Sequence, residues 1–283
     1  MRSISFATMC LAGVLALGAC DKLKNSKAQT EAEGVNVIDA TNLNDVMMTV
    51  ADPNEAVTYF QRSLQKEPDR IDFQRGLAQS LIRAKRASES ALLYEKLVKS
   101  DEATNEDKVN FADALIRTNE WKKAEIVLKS VPPTFETHKR YRLEAMIADS
   151  NQEWDKADSF YETAAGLTTR PAGVFNNWGY SKLTRGEYRG AEELFLQAIT
   201  YDKDLFTAKN NLVLARAAQR KYTLPVIRMS QIEKAELLHT MAISAIKQDD
   251  LDVARRLLLE AIDTHPQHFD TAVRTLAALN QTI

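Results

Sequence analysis

Few residues of this chain are placed for chemistry. Four histidines, His138, His239, His265 and His268, are scattered with no cysteine or carboxylate at metal-ligand spacing. Two of them, His265 and His268, flank a helix start, where surface residues are the ordinary account. Asp249, Asp250 and Asp252 resemble a calcium loop only superficially. They lack its glycine and distal glutamate, and acids in a turn favour the N-terminus of the helix that follows. Neither a glycine-rich phosphate loop nor a nucleophile motif occurs. The expectation is therefore no cofactor, no metal and no enzyme activity. Two placements remain. One is Cys20, preceded by Leu17-Gly18-Ala19; the other is Asn177 and Asn211, whose interval recurs elsewhere in the chain. A primary amide offers both a donor and an acceptor, which suits pairing with a peptide backbone.

Residues 1–19 read as an export signal: Arg2, an apolar run from about Ile4 to Leu17, then small residues before a cysteine. The run is too short and weakly flanked for a comfortable spanning helix. Leu17-Gly18-Ala19-Cys20 resembles the lipobox of bacterial lipoproteins. That resemblance implies cleavage before Cys20 and acylation of its sulfur and amine. Cys10, the only other cysteine, lies in the segment to be removed, so no disulfide is expected. Two or three acyl chains, at about 0.8 kcal/mol per buried methylene, suffice for stable anchoring. Residues 20–36 mix lysines and acids without period, as in a solvated tether. An aspartate after the lipidated cysteine, as Asp21 is, tends to retain enteric lipoproteins in the inner membrane. That rule is not general, and the expectation here is the periplasm-facing side of the outer membrane.

The elements that would position any binding residues are helical. Nine glycines and seven prolines are few for 283 residues, and apolar residues recur at helical spacing. The formal net charge of −2, with no basic face in view, argues against a nucleic-acid partner. The clearest stretch is residues 172–205, two amphipathic helices around a turn. Phe175, Trp178, Gly179 and Leu183 share one face, and Tyr188, Ala191, Leu194, Phe195 and Ala198 another. Gly186 stands where the chain reverses and positive φ is needed. From Ala191, small residues recur backwards at Ala157, Ala124, Ser90 and Ala56, in near-even steps of about 34 residues. Forwards, one such step falls on Pro225, and the register resumes only at Ala254. A single hairpin cannot bury its apolar face alone, so such units stack.

This pattern, from about residue 37 to the C-terminus, resembles the tetratricopeptide repeat (TPR). The matching residues are Phe175, Trp178, Gly179, Gly186, Tyr188, Ala191, Phe195 and Ala198, and in the last copy they include Ala254 and Pro266. The resemblance implies an all-α fold: a right-handed superhelical solenoid of about six to seven helix pairs over residues 37–283, with a C-terminal capping helix. The expected pairs begin with a poor first helix in which Val46, Met47 and Val50 could bury, then a helix from Pro53, capped by Asp52, to before Pro68. Further pairs follow over about 71–103, 105–131 and 137–167. The sixth pair has a first helix at FTAKNNLVLARAAQRK, but Pro225 and its neighbour Leu224 make residues 222–230 non-helical. That apolar segment reads as a plug in the side of the stack, with a partner-docking strand as the alternative. A seventh pair covers 230–265, and a final helix from about Pro266 to Leu279 offers Phe269, Val273, Leu276 and Leu279 as a cap. In TPR proteins the first helix of each pair lines the concave groove. In some, an asparagine at the place of Asn177 and Asn211 pairs with the backbone of a bound peptide. Asn110 and Asn42 fall at the same place, while Gly76, Leu143 and Thr240 interrupt the row. The competing account is that these amides bond within the repeats.

Size, lipobox and the run from NNLVLARAAQRKYTLPVI through LLLEAIDTHPQHFDTAVRTLAAL are similar to TadD, the lipoprotein family of tight-adherence (Flp) pilus assembly. The similarity implies a scaffold that binds protein partners, a secretin or other pilus-assembly components, in a pilotin-like role. The alternatives are a periplasmic adaptor for a protease or murein enzyme and an accessory lipoprotein of outer-membrane barrel assembly.

Overall fold

The computed structural model describes residues 43–281. The expectations for the export signal, Cys20, the tether and Asn42 lie outside the described residues. From Asp45 onward the described residues form one compact unit, the helical stack.

All regular structure among the described residues is helical. In chain order the helices are α1 Leu43–Thr49, α2 Pro53–Lys66, α3 Ile71–Arg83, α4 Ala87–Leu97, α5 Asn105–Arg117, α6 Trp121–Lys129 and α7 His138–Ser150. They continue with α8 Trp154–Gly166, α9 Ala172–Thr184, α10 Tyr188–Tyr201, α11 Phe206–Ala218, α12 Gln231–Lys247, α13 Leu251–Thr264 and α14 Asp270–Gln281. No helix among them is long and apolar enough to cross a membrane.

Starts follow local chemistry. Asp52 caps α2, its carboxylate accepting from the backbone N–H of Asn54 at 2.8 Å and of Glu55 at 3.2 Å, with Pro53 at the first helical position. Thr104 and Ser230 form capping boxes with Asp107 and Glu233. The turns inside pairs share one backbone solution. Lys85, Asn119, Gln152, Gly186, Arg220 and Asp249, each just past a first helix, all have positive φ. In each, the next N–H reaches a carbonyl in the last turn, as Glu187 N–H does to Lys182 at 2.9 Å and Lys221 N–H to Arg216 at 3.0 Å. Only one of the six is glycine. The expected result for Gln152→Gly, an exposed site, is a gain of about 0.5–1 kcal/mol from relieved left-handed strain. Gly186→Ala should lose about as much. Urea unfolding followed by circular dichroism measures both.

Packing follows the repeat. Two columns of small residues meet in five pairs: Ala78, Ala112, Ala145, Gly179 and Ala242 on first helices, opposite Ser90, Ala124, Ala157, Ala191 and Ala254 on second ones. All are buried. Ser90 shows how close the backbones come: its buried hydroxyl donates to the Ala78 carbonyl at 2.7 Å. Beside them Phe60, Tyr94, Leu128, Tyr161, Phe195 and Leu258 fill the space. Successive first helices touch one another (α3 with α5, α5 with α7, α7 with α9, α9 with α11), and second helices have no comparable contact. The first-helix side is therefore the tighter, concave one.

The structure corrects four expectations. Val46 and Val50 point out from α1, which is only seven residues long and buries no side chain completely. Arg83 holds this weak helix instead, donating to the carbonyls of Met47, Met48 and Ala51. Tyr188 is exposed, because it begins α10 before the helix turns onto its partner. Pro266 is exposed as well, just past the His265 cap where it cannot continue α13. The last helix starts at Asp270 rather than Pro266.

The sixth pair lacks its second helix. The chain leaves α11 through the usual left-handed residue, Arg220, and then runs irregularly to Ser230. Tyr222, Leu224 and Met229 pack into the core of α11–α14, and Ile227 packs into that of α10 and α11; Val226 is fully exposed. As a result α12 lies directly against α11.

Candidate groove on the first-helix face

First helices α7, α9 and α11 place Met146, Asn176, Asn177, Tyr180, Thr207 and Asn211 around one groove of about 480 Å³. Helical spacing explains the set: these positions lie on the side of each first helix turned away from its own second helix. Asn177 and Asn211, singled out from the sequence, thus line one groove. Asn110 does not offer a free acceptor. Its Oδ1 receives Lys139 Nζ at 2.6 Å.

Both groove amides also bond within the protein. Asn211, largely buried, donates Nδ2 to Asn176 Oδ1 at 3.1 Å, and Asn177 Nδ2 lies 3.5 Å from Met146 Sδ. One step on, Thr240 donates to Asn210 Oδ1 at 2.8 Å. These bonds tie successive first helices together. A sulfur acceptor is weak, so Asn177 is the amide a ligand could engage most cheaply. Sequence reasoning missed Asn176 and Asn210, the acceptors in this row. The signal was the doubled Asn-Asn, at 176–177 and again at 210–211.

Acids in and around the groove are held differently, and of Asp149, Asp158 and Asp113 only Asp149 lines it. Asp149, on α7, accepts from Tyr161 OH at 2.8 Å and from Ser181 Oγ at 2.6 Å. Burial pushes its carboxyl above the ordinary range, more than the two hydroxyls pull it down. Asp158, on α8, takes Trp178 Nε1 at 2.6 Å, Lys182 Nζ at 3.1 Å and Arg185 Nη2 at 2.6 Å. Burial raises it too, but Arg185 and the other donors outweigh that and hold it below the usual value. Asp113, on α5, is buried, which alone would raise it; Lys139 at 3.0 Å and Arg117 at 2.8 Å hold it low. Arg142 lies outside the groove lining, one helical turn before Met146 on the same helix. It is half-buried on α7, and its Nε is enclosed. None of these groups forms a nucleophile–base pair. The groove presents amides, a phenol and a thioether along a concave face, which is suited to holding a chain segment.

Residues 48–105 match the family model of the tetratricopeptide repeat. No curated protein sequence matches the chain significantly. Among solved structures the chain is similar to one from the APC/C hetero-tetramer Cut9-Hcn1, with 14% identity, a TM-score of 0.60, and coverage of 83% of this chain and 48% of that one. It is also similar to human IFIT1 in a dimer with m7Gppp-AAAA, with 16% identity, a TM-score of 0.61, and coverage of 83% and 61%. A third is a tetratricopeptide repeat protein from Parabacteroides merdae, with 12% identity, a TM-score of 0.54, and coverage of 85% and 97%. The chain spans about half the length of the first of these. At such identities the likeness shows the fold alone, an α-solenoid of TPR-like helix pairs.

Proposed function

We propose that this chain is a non-catalytic scaffold of the bacterial cell envelope, tethered through acyl groups on Cys20, that holds extended segments of other proteins. The observation that carries the reading is the groove of α7, α9 and α11, where amides and Tyr180 line an open concave face. Such a face recognises a backbone with few demands on sequence. Support for the tether is the lipobox-like Leu17-Gly18-Ala19-Cys20. The finer reading is assembly of a Flp (tight-adherence) pilus apparatus, pilotin-like toward its secretin; it rests on the similarity of residues 210–279 and of the whole chain's size to TadD.

The test is crosslinking and pull-down of the tagged native lipoprotein, followed by identification of what is bound. Secretin or other pilus components are expected, with secretin oligomers failing to form in a deletion strain. Recovery of a periplasmic protease, a murein enzyme or barrel-assembly components would move the chain to another role. Asn177→Ala with Asn211→Ala should lower recovery of the partner about tenfold at unchanged helicity, the effect of one or two lost hydrogen bonds. Undiminished recovery would remove the groove from the account. Cys20→Ser should release the protein from membranes, and continued attachment would count against the tether.

A further inference from the structure

Among the described residues, Arg142 is a half-buried cation with no hydrogen-bond or ion-pair partner; its Nε is fully enclosed and unsatisfied. An enclosed donor without an acceptor is costly, so its persistence asks for a reason. The repeat supplies an internal comparison. Arg75, two repeats earlier, occupies the same place on α3. Its guanidinium grips Asp107 of the next first helix, through Nε at 2.9 Å and Nη2 at 2.8 Å. Carried forward by the same two repeats, the place of Asp107 is Val174 on α9. Arg142 has therefore kept the position and lost the built-in carboxylate.

Space has been left there as well. Gly173 precedes Val174 and is exposed, and a Cβ on it would meet only Arg142 Nη1, at 4.0 Å. The nearby acid on α5, Asp113, is already taken by Lys139 and Arg117. His138, at the start of the same helix, is pushed toward its neutral form by burial and then by Arg142 and Lys139. Asp113 also feels Arg142 at longer range, but three cations share that one acid, so the surroundings hold an excess of positive charge beside an opening.

We propose that Arg142, through the Nη end of its guanidinium beside Gly173, receives the side-chain carboxylate of an aspartate or glutamate in the segment held by the groove, standing in for the carboxylate that Asp107 gives Arg75. The partner segment is then acidic where it crosses Gly173. This rests on the groove reading above and adds the chemistry of what is held. A planar guanidinium with its donors unpaired fits a carboxylate in two parallel bonds, which an ammonium cannot copy.

The experiment selects phage-displayed dodecapeptides on the immobilised, detergent-solubilised full chain, and separately on Arg142→Gln. The expected result is enrichment in Asp and Glu on the wild-type chain that disappears on the variant. The best peptide is then made with both ends blocked, together with a twin whose acidic residue is replaced by its amide. The twin should bind about tenfold more weakly to the wild-type chain. Arg142→Gln should lose the same factor with the parent peptide and nothing further with the twin; Arg142→Lys should recover only part. Peptides enriched without acidic bias, or a twin equally weakened on both proteins, would overturn the proposal and leave the groove standing. Binding that needs a free C-terminus instead would assign the site to a terminal carboxylate and overturn the side-chain claim. Should no peptide be enriched, and Asn177→Ala with Asn211→Ala leave recovery of the native partner unchanged, both readings fall.

Discussion

Phe195→Ala is expected to lower the free energy of unfolding by about 3–5 kcal/mol, the cost of emptying a large aromatic site. Phe195 is fully buried on α10, and its ring lies where a Cβ on Gly179 would stand, 2.7 Å from Cε1. No real Cβ tolerates that distance, so Gly179→Ala alone should also destabilise, by about 1–3 kcal/mol, even though alanine is the better helix former. The decisive measurement is the double variant. With the ring gone, the added methyl occupies vacated space and brings its helix propensity. Gly179→Ala in the Phe195→Ala background should therefore be neutral or stabilising by about 1 kcal/mol. Additive losses in guanidinium unfolding would show that the ring and the glycine are independent, and that close approach of α9 and α10 is not what the glycine secures.

The second large effect belongs to the place where a helix is missing. With α12 packed directly on α11, Lys209 of α11 is almost wholly enclosed, and its ammonium bonds Glu233 Oε1 of α12 at 2.7 Å. The other oxygen of Glu233 accepts the Ser230 N–H at 2.7 Å, closing the capping box of α12. Glu233→Ala strands a buried ammonium and unties the cap together, at an expected cost of about 3–5 kcal/mol. Lys209→Met added to it should restore most of that, because an apolar chain of similar length needs no partner. A double variant as unstable as the single one would place the loss in the cap rather than the ion pair.

The same pair gives a pH dependence. Burial alone would raise the Glu233 carboxyl, but Lys209 and then the Ser230 N–H hold it below its ordinary value of 4.5. A depressed acid contributes stability that is complete above the unfolded value and is lost as pH falls through the folded one. Stability of the wild-type chain should therefore decline below about pH 4.5, and the decline should be shallower in Glu233→Ala with Lys209→Met. Denaturant midpoints between pH 6 and 3 would show it.

The sequence by itself determined the class of this protein and most of its element boundaries. A period of about 34 residues, with a small residue at one place and an aromatic or leucine one helical turn on, leaves stacked helix pairs as the way to bury every apolar stripe. Pro225 in the sixth copy announced the break in the same way, because a proline removes a donor and clashes wherever it falls inside a helix. These are local rules, legible without coordinates. Exposure at element ends was not legible: Tyr188 and Val46 satisfy the spacing yet face water, Tyr188 because being first in a helix removes the neighbour that would cover it.

Only the tertiary structure decided the rest. Five of the six turns place a non-glycine residue in the left-handed region; Asn119 and Asp249 are types that tolerate it, but nothing in their type announces Lys85, Gln152 and Arg220. Which amides are free is also a matter of neighbours. Asn110, Asn177 and Asn211 share a register, but Lys139, Met146 and Asn176, each from another helix, give them different partners. Arg142 lacks the carboxylate that the following helix sets opposite Arg75, and a hydrogen bond between residues of two successive repeats is written in neither segment alone. Periodicity fixes which face a side chain takes; the partner it meets there depends on how the next helix is laid against it.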